Sequence, residues 1–376
     1  LFLVSEDWYF CSHRLPLALA AREAGFDVCV VTQVDRERER IEALGLRLIP
    51  IRLSRKGTNP LRDLWLIGKL TGIYRRERPD LVHQVALKPV LYGSLAARLS
   101  GVPGILNAMA GLGFLFSSRS LKARLLQPLV RLGLRLLLGG RQGHVIVQNR
   151  DDAAALTEMA HLRPGQVHLI PGSGVDLAAF VPAPEPPGPP VVMLPARLLW
   201  DKGVGEFAAA AERLGLEGTV ARFVLVGAPD PGNPAAVPEA WLHEKVRHGI
   251  LEWWGHSTDM AASLAMSHIV CLPSYREGMP KALLEAAACA RPVVTSDAPG
   301  CRETVRHRET GLLVPVGDEQ ALASALRLLI RDAGLRLRYG QAARRLAEGE
   351  FGVEQVTRAT LELYRALLRP ATHPVP

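Results

Sequence analysis

Two α/β domains, each a parallel sheet with helices on both faces, are the fold class this sequence predicts, and three observations carry the prediction. The chain has 376 residues, too many for one ordinary hydrophobic core and a natural length for two. Short β-rich runs alternate with helical runs through both halves, which is the pattern of strand–helix–strand units in Rossmann-like domains. Near the middle, residues 182–190 read PAPEPPGPP, six prolines in nine positions. Proline lacks the backbone donor that a helix or an inner strand needs. A stiff, extended linker between domains 1–181 and 191–353 is therefore expected.

The elements follow in order. In the first half, β-branched and apolar runs bounded by Gly, Pro and Asp predict strands at 1–4, 28–32, 46–51, 81–85, 104–107, 144–148 and 166–170. Helical patterns fill 13–24, 61–77, 89–99, 121–138 and 151–159. In the second half, strands are expected at 191–195, 221–227, 251–254, 269–273, 292–296 and 311–314, with helices between them, notably at 280–288. Residues 354–368 have the spacing of an amphipathic helix. The segment 354–376 is a candidate to pack back on the first domain. Ligands of such folds sit at the carboxyl ends of strands, and each motif below falls at such an end.

Composition narrows the class. The chain is 48% hydrophobic and 22% charged, so it is globular and not disordered. No apolar run reaches the roughly 18 to 20 residues of a membrane span. No signal peptide is recognisable, and the chain opens inside a strand without a starting Met, so a few preceding residues are expected to be missing. The five cysteines, Cys11, Cys29, Cys271, Cys289 and Cys301, are odd in number and show no C-x-x-C spacing. A reduced, cytoplasmic protein without structural zinc is expected. Charge is uneven: residues 1–180 hold 24 Lys and Arg against 15 Asp and Glu, and the remainder 21 against 22. A basic half of this kind bears on partners and not on fold. Aromatic residues are only 6% and do not interleave with basic ones, which argues against a nucleic-acid stacking platform.

Residues 274–303, SYREGMPKALLEAAACARPVVTSDAPGCRE, carry the densest chemistry. Glu277 and Glu285 stand eight positions apart, one just before the helix and one near its middle. At helical rise that is about 12 Å along the axis, the span of a ligand with hydroxyls at both ends and a diphosphate between them. A nucleotide-sugar is such a ligand. Pro280 suits the first helical position, Gly278 lets backbone approach a ligand, and the helix N-terminus favours an anion. Lys281 opposes that dipole unless an anion sits there; a solvated surface lysine is the other reading. Arg197 and Lys202, in the loop after the strand at 191–195, are fixed cations suited to the opposite side of a diphosphate.

These motifs resemble the family-4 retaining glycosyltransferases of GT-B fold. The matching residues are the Arg197-x4-Lys202-Gly203 loop, the SYREGMPKALLEA segment, Pro292-Val293-Val294 with Asp297, Gly300 and Glu303, and Gly311-Leu312-Leu313-Val314-Pro315. Gln148-Asn149 and residues 170–176 in the first half match as well. The resemblance implies two Rossmann-like domains facing each other across a cleft. It also implies transfer of a sugar, with an N-acetylhexosamine expected, from a UDP-sugar to a polyprenyl-diphosphate-linked saccharide in bacterial surface-glycan synthesis. Carried over residue by residue, Glu277 would hold hydroxyls of the donor sugar and Glu285 those of the ribose. Arg197, Lys202 and the turn of Gly278, Met279, Pro280 and Lys281 would bind the diphosphate. Neither metal nor cofactor is expected, and retention would follow from front-face attack.

The chain departs from the family in two places. Its first strand–helix loop reads Ser5-Glu6-Asp7-Trp8 where many relatives have a Gly-Gly pair. The segment after 104–107 is Ala108-Met109-Ala110-Gly111-Leu112-Gly113, without the family's histidine. Gly111 and Gly113 are candidates for an acceptor or phosphate loop, or form a simple turn. Lys88 and His83 are candidate acceptor contacts, with a packed histidine as the other reading of His83. Residues 117–142 hold six basic and no acidic residues among many leucines. A basic amphipathic helix there would lie in an anionic membrane surface, at the inner face of the cytoplasmic membrane; an ordinary domain helix, with its leucines in the core and its arginines in water, is the other reading. The competing enzyme class is a GT-B-fold sugar-nucleotide epimerase, which needs added acid/base groups that the first half does not display.

Overall fold

The computed structural model describes residues 1–53, 60–109, 111–112, 121–140 and 143–368, without the side chains of 60 and 121–126. It divides into two units: Leu1–Ser173 with Glu354–Pro376, and Gly174–Val353.

Unit 1 is built on strands β1 (Phe2–Glu6), β2 (Cys29–Gln33), β3 (Arg47–Pro50), β4 (Leu81–Val85), β5 (Gly104–Met109), β6 (Gly143–Val147) and β7 (Val167–Leu169). They form one sheet in the order β3-β2-β1-β4-β5-β6-β7, every pair parallel. Its helices are α1 (Asp7–His13), α2 (Leu15–Glu23), α3 (Arg38–Ala43), α4 (Pro60–Glu77), α5 (Leu87–Ser100), α6 (Leu121–Leu138) and α7 (Arg150–Ala160). Alternation along β1 shows why the strands read as continuous apolar runs. Phe2 and Val4 pack with Phe10 and Ala18 on one face, and Leu3 packs with Leu70 and Tyr74 on the other.

Unit 2 has strands β8 (Val191–Pro195), β9 (Arg222–Val226), β10 (Glu252–Trp253), β11 (Ile269–Leu272), β12 (Val293–Ser296) and β13 (Gly311–Val314). All are parallel, in the order β10-β9-β8-β11-β12-β13. The helices are α8 (Val204–Leu216), α9 (Glu239–Arg247), α10 (Met260–Ala265), α11 (Lys281–Ala288), α12 (Glu319–Arg331) and α13 (Ala333–Leu346). Chain order reverses between β8 and β11, which makes their carboxyl ends the switch point where ligands of this architecture bind.

The final helix, α14 (Val353–Leu368), belongs with unit 1. Its Val356, Leu361, Leu363 and Tyr364 join the cluster of Phe2 and Phe10. Each such side chain contributes about 1.5–3 kcal/mol when removed from water.

Three local expectations change. The change of unit comes at Ser173 and Gly174, and the proline-rich 182–190 lies inside unit 2. There Glu185 forms a two-pronged pair with Arg336, both bonds 2.7 Å, and the Pro184 carbonyl accepts from Arg291 at 3.2 Å. Proline stiffens this stretch, but polar anchors hold it to one unit. The expected helix at 13–24 starts at Leu15, because α1 already occupies Asp7–His13. Buried Asp7 accepts from the N–H groups of Asp35, Arg36 and Glu37 at 2.7–2.9 Å, so its charge is satisfied at the start of α3. Finally, α11 begins at Lys281, with Pro280 as its N-cap.

No helix among the described residues is long and apolar enough to cross a membrane. All five cysteines are buried and free.

Candidate active site

The loop after β8 presses onto the loop after β11. Gly203 has φ +75°, and a Cβ there would sit 2.3 Å from the Pro273 carbonyl oxygen, so only glycine permits this approach. The Tyr275 N–H then donates to the Asp201 carbonyl at 3.0 Å. Ser274 Oγ lies 3.0 Å from that carbonyl and 2.9 Å from Glu277 Oε1, and its one proton serves either acceptor. Lys202 closes the group, with Nζ 2.5 Å from Glu277 Oε1. Both side chains of that pair are 15% exposed, so the charges are largely shielded yet reachable.

The turn carrying Glu277 is held from a third side. Its N–H donates to the Pro299 carbonyl at 2.9 Å. Gly300, at φ +82°, passes so close that a Cβ would meet the Glu277 and Gly278 carbonyl oxygens at 2.4 and 2.5 Å. The Gly300 N–H is fixed in turn by Glu303 Oε2 at 2.9 Å. Cys301, beside this turn, is buried, and loss of hydration, with the Glu277 charge second, pushes its thiol pKa up to about 12. It therefore stays a neutral thiol.

Residues 277–280 form a turn ahead of α11, so helical rise separates the two glutamates only from Lys281 onward. Glu285 is buried on α11 and pairs with Lys281, Nζ to Oε1 3.3 Å, across one helical turn. Burial raises the Glu285 pKa, and Lys281 partly offsets that. The anion beside Lys281 is thus Glu285 itself. Gly278 and Pro280 are buried, and half-buried Met279 packs beside Leu284 and Ala287. Arg197 is exposed and tied to Asp230, 3.0 Å away, in the loop after β9. Sequence reasoning named Lys202 and Glu277, which the structure brings together, but not Ser274, which contacts Glu277, or Asp230, which pairs with Arg197. A serine three residues before a glutamate, and an aspartate in the Gly-Ala-Pro-Asp-Pro-Gly turn ending β9, were the available signals.

The unit 1 candidates lie in different settings. His83 is in mid-strand on β4 and only 2% exposed. It stacks on Phe2, centroids 5.3 Å apart, and hydrogen-bonds Tyr364 of α14. Burial drives its pKa well below the ordinary value, so the ring is neutral. As an acceptor contact it is corrected to a core histidine, because its strand continues past it. Lys88 stands in the first turn of α5 and is half-buried, which lowers its pKa, while the Asp63 charge raises it. Gly111 has φ +119°, and the next N–H, of Leu112, donates to Asp152 at 3.3 Å. Gly113 lies outside the described residues, as do 117–120 and 141–142 of the basic segment. Among the described residues, no group of three or more His, Cys, Asp and Glu comes together as metal ligands.

Two parallel-sheet units, with a Lys–Glu pair at the switch point of the second, have the architecture of the GT-B glycosyltransferases. The chain belongs to the glycosyltransferase family: the 4-like glycosyl transferase model matches residues 1–148 and the glycosyl transferases group 1 model residues 189–332. The chain is similar to the Streptomyces fradiae 2-deoxystreptamine N-acetyl-D-glucosaminyltransferase, 31% identical over 94% of this chain and 89% of that one. It is also similar to the Campylobacter jejuni N,N'-diacetylbacillosaminyl-diphospho-undecaprenol alpha-1,3-N-acetylgalactosaminyltransferase. That relative is 28% identical over 88% of this chain and 89% of its own. Among solved structures, Anabaena HepE in complex with UDP and glucose shares the fold at a TM-score of 0.78, with 19% identity, 97% of this chain and 98% of that chain covered. The protein is a hexosyltransferase, and with transferases as its relatives the epimerase alternative is not favoured.

Proposed function

We propose that this enzyme transfers an N-acetylhexosamine from a UDP-sugar to a polyprenyl-diphosphate-linked saccharide, with retention at the anomeric carbon and without a metal. The observation that carries the reading is the pair of lysine–glutamate contacts: Lys202, from the loop after β8, with Glu277 just before α11, and Lys281 with Glu285 on α11. A nucleotide-sugar presents hydroxyls at its ends and two phosphates between them. On entering such a site it exchanges partners with it: the phosphates take the lysines, and the hydroxyls of sugar and ribose take Glu277 and Glu285. Every charged group then keeps a hydrogen-bonding partner in either state, which lowers the desolvation cost. The relative acting on an undecaprenol-diphosphate acceptor and the neighbour bound to UDP support the substrate classes.

In the reaction the bond from the anomeric carbon to the UDP oxygen breaks, and an acceptor hydroxyl oxygen bonds to the same face of that carbon. The hydroxyl proton passes to the departing phosphate. Charge grows on that phosphate in the transition state. Lys202, Arg197 once it swings from Asp230, and the N–H groups at the start of α11 stabilise it there. Glu277 orients the sugar. The basic unit 1 holds the acceptor, placing the enzyme on the inner face of the cytoplasmic membrane.

The test is a screen of UDP-sugars against a polyprenyl-diphosphate-linked monosaccharide, with product detected by mass. Glu277→Ala and Lys202→Ala should each abolish transfer, a loss of about a thousandfold or more, while the thermal transition is kept. Normal turnover by either variant refutes the assignment. Turnover of UDP-N-acetylhexosamine without acceptor, yielding its epimer, would restore the isomerase reading.

A further inference from the structure

Two helices of unit 1 are apolar on both sides. α4 buries Leu66, Leu70, Ile73 and Tyr74, and α6 buries Leu134 and Leu138. Yet Leu61, Leu64 and Trp65 of α4 and Leu129, Leu132 and Leu136 of α6 are 52% to 81% exposed. The spacings i, i+3, i+4 and i, i+3, i+7 put each trio on one stripe of its helix. A single exposed leucine carries no meaning. A stripe on each of two helices packed on the same helix, α5, is apolar surface of a kind that marks an interaction site.

The stripes belong to one side of the sheet. Ile105 and Met109 point the same way from β5, the first into the cluster of α4 and the second into that of α6. Helix α5 lies between them: its Leu91 abuts Gly133 of α6, and its Arg98 donates to the Leu136 and Leu137 carbonyls, both at 2.8 Å. Among the described residues, the exposed charges on the two helices are all positive. Arg62, Lys69, Arg131 and Arg135 are exposed on the two helices, and the Lys69 ammonium sits 5.2 Å from the centre of the Trp65 ring. The sequence of α6 contains no acid, and Asp63 of α4 interacts with Lys88 and Tyr92 of α5.

We infer that α4 and α6 together form a lipid-facing surface, which sinks these six side chains into the interface of an anionic membrane and sets Arg62, Lys69, Arg131 and Arg135 among its headgroups. Leucine and tryptophan flanked by cations is the composition that lies in such an interface, and the positive charge commits the occupant to anionic lipid. The inference rests on the lipid-linked acceptor proposed above, which such a surface would let the enzyme meet in two dimensions. It adds α4, which the basic stretch 117–142 does not include.

Flotation of the full-length protein tests it, with vesicles of phosphatidylcholine and phosphatidylglycerol against phosphatidylcholine alone. The wild type should float with the mixed vesicles at low salt. The pairs Leu64→Gln with Trp65→Gln, and Leu132→Gln with Leu136→Gln, should each lower partitioning at least about tenfold, with the thermal transition unchanged because all four positions are exposed. Transfer to a short-chain, water-soluble acceptor should stay at the wild-type rate in both. Flotation unaffected by either pair, absence of wild-type flotation, or a dimer in light scattering that the pairs dissociate would each overturn the surface. A protein that transfers but does not float fails here alone; one that floats but does not transfer fails only the proposed reaction.

Discussion

Glu285 is the side chain with the clearest conflict between stability and use. Its carboxylate is buried, and its pKa is raised from 4.5 by desolvation that Lys281 only partly offsets. The charged form therefore costs stability above the raised pKa, and the cost fades as pH falls through that value towards 4.5. Glu285→Gln should be as stable as the wild type or more so at pH 8, by up to about 1 kcal/mol. The difference should shrink as pH falls and vanish in acid, as thermal melts across pH would show. Donor affinity should meanwhile fall at least about tenfold, the loss of a charged hydrogen-bond acceptor, in a calorimetric titration with UDP-sugar. Glu285 was legible from the sequence as half of a Glu-x7-Glu pair. That Lys281 is its partner was not, because the same lysine read equally well as a phosphate contact or a surface residue.

Among elements, the site depends on three loops kept in contact by two glycines. The loop after β12 supports the Glu277 turn only because Gly300 brings backbone against backbone. Gly300→Ala must either move the turn or strain a left-handed residue, which costs about 1 kcal/mol before the clash is counted. It should lower transfer at least about a hundredfold while unit 2 stays folded by circular dichroism; wild-type activity would show that the turn is not positioned this way. Most strands were legible, for β4, β8 and β13 begin and end where the residue pattern put them. Strands buried on both faces are long apolar runs with sharp polar ends. Helices α1 and α3 were not, since they are only seven and six residues long, too short for a 3.6-residue period to show, and Asp7 orders one against the other from 28 positions away.

For the whole molecule, the reaction proposed above relies on fixed side-chain and backbone charge alone. Excess chelator should therefore leave the transfer rate within about twofold of its untreated value. A loss restored by added divalent cation would refute the metal-free reading. The uneven charge noted in the sequence resolves into a basic unit 1 with its apolar stripes and a nearly neutral unit 2 carrying the Lys–Glu pairs. Residue types and spacing settled the α/β class and the family and singled out the candidate groups, because those are local: periodicity, turn residues and a motif within thirty positions. They could not settle who touches whom. Lys202 and Glu277 meet across 75 positions because β8 and β11 are neighbours in the sheet. The same order of strands buries His83 in the core, where the sequence had left an acceptor contact and a packed histidine both open. Sheet order is a global minimum over competing packings, and no local window contains it.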